Sequence, residues 1–430
     1  MGNGARSARQ RGARNPRRPI PNAGDARLGE PVGPQRDGMA ANRMVSEQVV
    51  GEGATHQFSR NKSIMPNTTA ITTTSFINSL GVNTHVDFNS GGYQNIAQTE
   101  QAINYLGLKN LRDSAEDPAE GQAGSKWAQI SAATGAKFDD YMGEGSPGQM
   151  QSDLNEAQQI AQNNPGILNY LEGGNEEDDP YATSNGNNLQ ITAQFQQQVY
   201  SVAHSLGLPA INMSFGQGWT AANNWHGDYD KVGDLSSVTD YANAHTYANP
   251  GQTPDSALQQ LNGDALIAAG SRPIITTEVG WDENQGFSQA DIAKYVLDAS
   301  LDGIKDGDVK TYFYALYDDM AGRFGLMNQD GTPKPAGTAL HNLTTLLNDP
   351  GANAASFTPG SLNYSLSNTQ SGDNALLMEK SDGTFWLSLW NESAGAHSVT
   401  LNLGSAASQI NVFDPLTGTS AVQTASNTNS

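Results

Sequence analysis

Between about residues 80 and 349, short β-like runs alternate with stretches whose apolar side chains return every three or four positions. The runs are Val82 to Phe88, Lys109 to Asp113, Ala136 to Met142, Ile167 to Glu176, Ala210 to Gly216, Val238 to Ala248, Pro273 to Trp281 and Val309 to Asp319, eight in all. The helical patterns between and after them are Asn95 to Leu106, Lys126 to Thr134, Met150 to Gln162, Ile191 to Leu206, Asp255 to Ala269, Gln289 to Ile304 and Lys334 to Leu347. Several close at a glycine suited to a helix C-cap, as at Gly107, Gly135, Gly207 and Gly270.

Such alternation predicts βα units around a parallel sheet. Eight in succession fit a closed (β/α)8 TIM barrel, an α/β fold, better than an open doubly wound sheet, which would show a Gly-rich phosphate turn after its first strand. No such turn is present. Gln217 to Ser237 has no helical period and carries Trp219, Trp225, His226 and Tyr229, so a long irregular loop is expected there. After Asn353 the pattern changes to alternating β-type runs, Ala375 to Lys380, Thr384 to Trp390, His397 to Leu403 and Gln409 to Phe413, separated by Ser-Asp-Gly and Leu-Thr-Gly turns. A small C-terminal β-sandwich is expected, to which Thr69 to Leu80 adds a strand. The expected division is a disordered basic tail over 1–66, the barrel over 67–350 and the sandwich over 351–430.

Length and charge narrow the function. The 430 residues hold a barrel of ordinary size plus an accessory module. Lys+Arg total 23 against Asp+Glu 44, a net charge of −21 that argues against nucleic acid or an anionic membrane as the main partner. No apolar run approaches the eighteen or so residues of a membrane span. The absence of cysteine excludes disulfides, thiolate metal sites and a cysteine nucleophile. The tail opposes the overall charge, with Arg6, Arg9, Arg11, Arg14, Arg17 and Arg18 among Gly, Pro and Asn. It has the basic character of a signal-peptide n-region, but no apolar segment follows, so no secretory signal is recognised. The remaining composition, rich in Asn, Gln, Ser, Thr and Gly, is common in exported proteins, and a secreted or extracytoplasmic protein is the expectation.

The C-terminal ends of barrel strands face the active site, and here they are polar. The fourth run ends Glu172-Gly173-Gly174-Asn175-Glu176 and the seventh ends Thr276-Thr277-Glu278-Val279-Gly280-Trp281. Strands four and seven stand across the barrel from each other, so two glutamates at their ends can converge on one sugar from opposite sides. Hydrolysis of a glycosidic bond with retention needs such a pair, one carboxyl to protonate the leaving oxygen and a second about 5 to 5.5 Å away to attack the anomeric carbon.

Gly174-Asn175-Glu176 after strand four and Thr277-Glu278-Val279-Gly280-Trp281 after strand seven resemble the clan A glycoside hydrolases, over roughly residues 80 to 349. The C-terminal sandwich is similar to the layout of families such as 39, 30, 51 and 79. The resemblance implies Glu176 as acid/base, Asn175 as ligand of the sugar 2-hydroxyl and Glu278 as nucleophile. It further implies Arg112 beside the nucleophile, His245 lining the sugar subsite and Tyr247 hydrogen-bonded to the nucleophile. Trp281 and Tyr317 are expected to contact substrate, Tyr317 in place of the tryptophan that many members carry after strand eight. The substrate implied is an oligo- or polysaccharide, with a β-linkage expected from the clan alone.

An Asn-Glu dipeptide by itself carries no information; position and partners do. Arg112 has the bland alternative of an ion pair with Asp113 or Asp139, and His245 that of a satisfied core histidine. Trp219, Trp225 and Tyr229 divide evenly between stacking on sugar and packing the loop. No cofactor or metal is expected: the seven histidines show no HExxH pairing, and the acid-rich stretches Glu176 to Asp179 and Asp228 to Asp234 lack EF-hand spacing. A transglycosylase would use the same two glutamates, and a non-catalytic carbohydrate-binding protein is the alternative from another class.

Overall fold

The computed structural model describes residues 67–86, 90–114, 124–143, 147–178, 189–216, 228–393 and 395–428. The expected basic tail, the end of the first run, Asp179, Trp219, Trp225 and His226 lie outside the described residues. The described chain opens with two short strands, β1 (Asn67–Thr69) and β2 (Ile71–Thr72), and a helix, α1 (Thr73–Asn78).

Eight parallel strands follow: β3 (Leu80–Asn83), β4 (Asn110–Asp113), β5 (Lys137–Met142), β6 (Leu168–Gly174), β7 (Ala210–Ile211), β8 (Ala242–Thr246), β9 (Ile274–Val279) and β10 (Lys310–Phe313). Neighbours in sequence are neighbours in the sheet and β10 returns to β3. A parallel bridge from Ile211 to Tyr241, with the Asn212 N–H donating to the Tyr241 carbonyl at 3.0 Å, closes the remaining seam. The result is the expected (β/α)8 barrel.

The helices α2 (Ile96–Leu106), α3 (Ser125–Thr134), α4 (Pro147–Asn163), α5 (Leu189–Ser205), α6 (Pro254–Ala269), α7 (Gln289–Asp306) and α8 (Pro335–Leu347) follow the strands, except that no helix is described between β7 and β8. Strands covered by helices outside and by side chains inside are buried on both faces. Every residue of β3, β4 and β8 is buried. Inside the barrel, Tyr170, Ile211, Ile275 and Tyr312 form an apolar plug. A second set of inward residues, Arg112, Asp139, Glu172, Asn243 and Thr277, is polar and equally buried. Buried polar groups need partners, and those that Arg112, Glu172, Asn243 and Thr277 find build the site described below.

The C-terminal unit contains β11 (Ser361–Ser367), β12 (Asp373–Glu379), β13 (Phe385–Asn391), β14 (Thr400–Leu403), β15 (Ala407–Val412) and β16 (Gln423–Thr428). β1 pairs antiparallel with β11, which pairs with β14; β2 joins parallel to β12, which pairs with β13; β15 and β16 pair with each other. Residues 67–72 thus complete the C-terminal sheets. The remainder of the segment expected as a strand is the helix α1, begun by Thr72, whose hydroxyl accepts the Ser75 N–H at 2.9 Å. β11, SLNYSLS, alternates Leu362, Tyr364 and Leu366 with polar residues, whereas β16, QTASNT, has no apolar alternation; neither is among the runs expected from the sequence. The unit docks on the barrel through Met378 and Trp390, which join its core, and the Trp390 indole donates to Asp302 of α7 at 2.8 Å. No helix among the described residues is long and apolar enough to cross a membrane.

Candidate active site

Two local irregularities aim the glutamates. The β5–β6 register pairs Tyr141 with Glu172 but Met142 with Gly174, so Gly173 is an extra residue, a β-bulge. A Cβ on Gly173 would stand 2.6 Å from the Met213 nitrogen, which is why glycine occupies the bulge. On the other side, Ala244 pairs with Thr276 and His245 with Glu278, so Thr277 is the extra residue in β9. Thr277 and Glu278 therefore both point into the barrel, where strict alternation would send one outward. Glu176 itself sits at φ 49°, left-handed for a residue with a Cβ, at a cost of roughly 1–2 kcal/mol. Its N–H donates to the Ser214 hydroxyl at 3.2 Å.

Arg112 is the hub. All five of its N–H donors are engaged: Nε donates to Glu172 Oε2 (2.8 Å), Nη2 to Glu172 Oε1 (2.7 Å) and Asn175 Oδ1 (2.8 Å), and Nη1 to Asn83 Oδ1 (2.9 Å) and Glu278 Oε1 (2.6 Å). The Tyr141 ring lies 4.2 Å from the guanidinium carbon. Burial pushes the guanidinium down, but the charges of Glu172 and Glu278 outweigh it and hold Arg112 well above its ordinary value. The other Glu278 oxygen accepts the Tyr247 hydroxyl. Burial and the Glu278 charge keep that phenol protonated, so Tyr247 is the donor.

His245 links the two glutamates. Its Nδ1 lies 2.6 Å from Glu176 Oε1 and 3.5 Å from Glu278 Oε2. The tautomer follows from its neighbours. Asn243 Nδ2 donates to Glu172 and to the Asn212 carbonyl, so Oδ1 is its acceptor end and takes the Thr277 hydroxyl proton at 2.6 Å. Thr277 Oγ1 can then only accept from His245 Nε2 at 3.0 Å, which places a hydrogen on Nε2. Nδ1 and Glu176 Oε1 consequently share one proton. Burial pushes the imidazole down, the Glu278 charge and the Glu176 bond lift it, and the net shift is upward.

Of the residues expected at the site, Asn175, Glu176, Arg112, His245, Tyr247 and Glu278 converge in this one cluster. Two do not. Trp281 is 2% exposed and packs on Tyr295 of α7 at 5.5 Å, and Tyr317 is fully buried against Tyr93 at 4.9 Å. Both are buried in the main apolar core. Tyr229 likewise packs on Phe215, at 4.1 Å, with 2% exposure. The aromatic side chain that stands beside the nucleophile after β10 is Tyr314, half-buried between Tyr247 and Phe324. Its hydroxyl donates to Asp319 Oδ2 at 2.5 Å, and His85 Nε2 approaches it at 3.2 Å. Glu172, Asn243 and Tyr314 carry no motif, and Thr277, though it opens the strand-seven motif, has no role assigned from the sequence; the inward parity of Glu172 with Tyr170, and of Asn243 with His245, is the available signal.

Donor atoms of Glu176, His245 and Glu278 lie within 4.8 Å of one another, a set able to hold a metal ion. The Arg112 cation already bonded to Glu278 opposes a second positive charge there.

No known protein family and no curated protein matches the sequence. Among solved structures, the fold is similar to a family 39 glycoside hydrolase from Bacteroides cellulosilyticus, at 16% identity over 75% of this chain and 72% of that one, TM-score 0.52. A family 17 β-1,3-glucanosyltransferase from Rhizomucor miehei matches at 18% identity over 61% and 97%, TM-score 0.48. A monomeric β-xylosidase from Caulobacter crescentus matches at 14% identity over 65% and 69%, TM-score 0.47. The first of these likenesses shows the fold: the chain is a (β/α)8 barrel similar to that of the family 39 enzyme.

Proposed function

We propose that the protein is a retaining glycoside hydrolase in which Glu278 is the nucleophile and Glu176 the acid/base. The observation that carries this is the separation of the two carboxyls, whose oxygens lie within 4.8 Å together with His245 Nδ1. That closeness favours a retaining pair, whose groups stand about 5–5.5 Å apart, over an inverting pair at about 6.5–9.5 Å. Arg112 and Tyr247 each donate to one Glu278 oxygen, fixing the carboxylate for attack on the anomeric carbon. In the acid form the shared proton belongs to His245 Nδ1 and holds Glu176 Oε1, while the carboxyl's own proton sits on Oε2 and passes from there to the leaving group. Asn175 Oδ1 accepts from Arg112 and from Ser214 (3.2 Å), which turns its Nδ2 donor toward a sugar 2-hydroxyl. In the second step Glu176 draws a proton from water, or from a sugar hydroxyl if transfer replaces hydrolysis, and the glycosyl ester on Glu278 is released.

The test is a panel of aryl β-glycosides and oligosaccharides with native, Glu176→Ala and Glu278→Ala proteins. The native protein is expected to release product of retained anomeric configuration. Azide should rescue Glu278→Ala to a glycosyl azide of inverted configuration and Glu176→Ala to one of retained configuration. Equal activity in native and variant proteins would refute both assignments.

A further inference from the structure

Active sites of (β/α)8 barrels are built from the segments that leave the C-terminal ends of the strands. In this chain those segments are residues 84–95, 114–124, 143–146, 175–188, 212–234, 247–253, 280–288 and 314–334. Their described residues hold eleven Asp or Glu. The whole sequence of all eight supplies three Lys or Arg: Lys231, Arg323 and Lys334. Each is paired. Lys231 bonds Asp228, Arg323 lies 3.1 Å from Glu283, and Lys334 reaches Glu283 at 3.0 Å and Asp318 at 2.7 Å.

The opposite end of the barrel is different. The segments 107–109, 135–136, 164–167, 206–209, 270–273 and 307–309, with 235–241 leading into β8, contain two acids, Asp240 and Asp308, against Lys109 and Arg272. The acidity is thus concentrated on the face that receives substrate and is not a uniform property of the surface. Within the site the sole guanidinium, Arg112, is 1% exposed and has no donor left, and both ring nitrogens of His245 are engaged.

We infer that the protein selects glycans free of carboxylate and sulfate groups, and rejects uronic acids at the bond-cleaving subsite; this rests on the hydrolase reading above for where the sugar sits. A uronate needs a cation or a set of unengaged donors to replace the water it leaves. Here the Arg112 and His245 donors are engaged, the Asn175 amide is neutral and directed at the 2-hydroxyl, and Glu278 carries a like charge. A carboxylate about 6 Å from Glu278 at an effective dielectric of about 20 is disfavoured by roughly 100-fold.

The test is electrophoresis of the full chain with Glu176→Gln, which mimics the protonated acid and stops turnover, through gels containing matched polysaccharides. Suitable pairs are a neutral β-glucan and the same polymer oxidised to carboxylate at C6, galactan and polygalacturonate, and xylan with and without glucuronate branches. Retardation by the neutral member of at least one pair is expected, with its charged partner bound on the order of 100-fold more weakly at 20 mM salt and the gap narrowing at 200 mM as screening sets in. Equal or tighter binding of a charged partner, or retardation by none, would overturn the inference. The native protein incubated with the retarding polymer separates the two claims: binding without hydrolysis leaves this selectivity standing and removes the hydrolase reading.

Discussion

Gly216 offers a way to move the proposed acid/base without altering its chemistry. An ideal Cβ at this position would stand 2.7 Å from the Glu176 carboxyl carbon and 2.9 Å from its Oε2. The Gly216 backbone is not in the left-handed region, so alanine costs nothing in conformation. Ordinary carbon contact begins near 3.4 Å, and the Glu176 carboxyl must therefore retreat by about 0.7 Å. A misplacement of about 1 Å costs about 100-fold in rate, so Gly216→Ala should lose between roughly 10- and 100-fold, or about 1.4 to 2.7 kcal/mol of transition-state stabilisation. The loss has a signature. Substrates with poor leaving groups, which depend on protonation, should suffer the full penalty, whereas a dinitrophenyl glycoside, which departs unaided, should be cleaved at close to the native rate in the first step. The assay is kcat/KM across aryl glycosides of graded leaving-group acidity, beside the native and Glu176→Gln proteins. A uniform loss across that series, or no loss at all, would refute the placement of Glu176 over Gly216 as the proton donor.

Other outcomes follow from the same geometry. Arg112→Lys replaces five donors by three, leaving at least two buried acceptors unmet at about 1–3 kcal/mol each; a melting temperature lower by about 10 °C and a fall in kcat/KM of at least about 100-fold are expected by calorimetry and kinetics. Trp281→Phe should lower stability by roughly 1–3 kcal/mol in denaturant titration while leaving KM unchanged, and a raised KM would return Trp281 to the substrate. Burial, then the hydrogen bond and charge of Glu392, push Asp302 up to about 9, and burial carries Asp308 to about 7 and Asp298 to about 6. Below these values each carboxyl holds its proton in the folded state, whereas the unfolded chain releases it from about pH 4. Their contribution is full below pH 4 and is lost as pH rises from about 4 through 9, so thermal stability should decline over that range and decline less steeply in Asp302→Asn, which keeps the bond from Trp390.

The barrel was legible because its strands are buried on two faces, leaving compact apolar runs punctuated by capping glycines. The two glutamates were legible from their place at the ends of runs four and seven. What escaped was parity. The extra residues Gly173 and Thr277 shift register within a strand, and no pattern of apolar residues records a bulge whose members are all buried. Trp281 and Tyr317 were misplaced for a related reason, since an aromatic residue just past a strand end can turn to the cleft or to the helices, and only the path of the following loop decides. Arg112 could be placed at its strand end, but its fivefold bonding depends on Glu172, the residue just before the bulge, with no motif of its own.

The pairing of Asn67 with Asn363 and of Ile71 with Met378 ties the start of the described chain to a unit made almost three hundred residues later. During synthesis β1 and β2 emerge first and wait, as open edges, while the whole barrel is completed behind them. Only when β11 and β12 leave the ribosome can those edges be covered. The accessory sheets therefore act as a clasp that fastens after the barrel has closed. A cut at residue 350 would yield no independent module, only a barrel with two loose strands and a set of sheets lacking them.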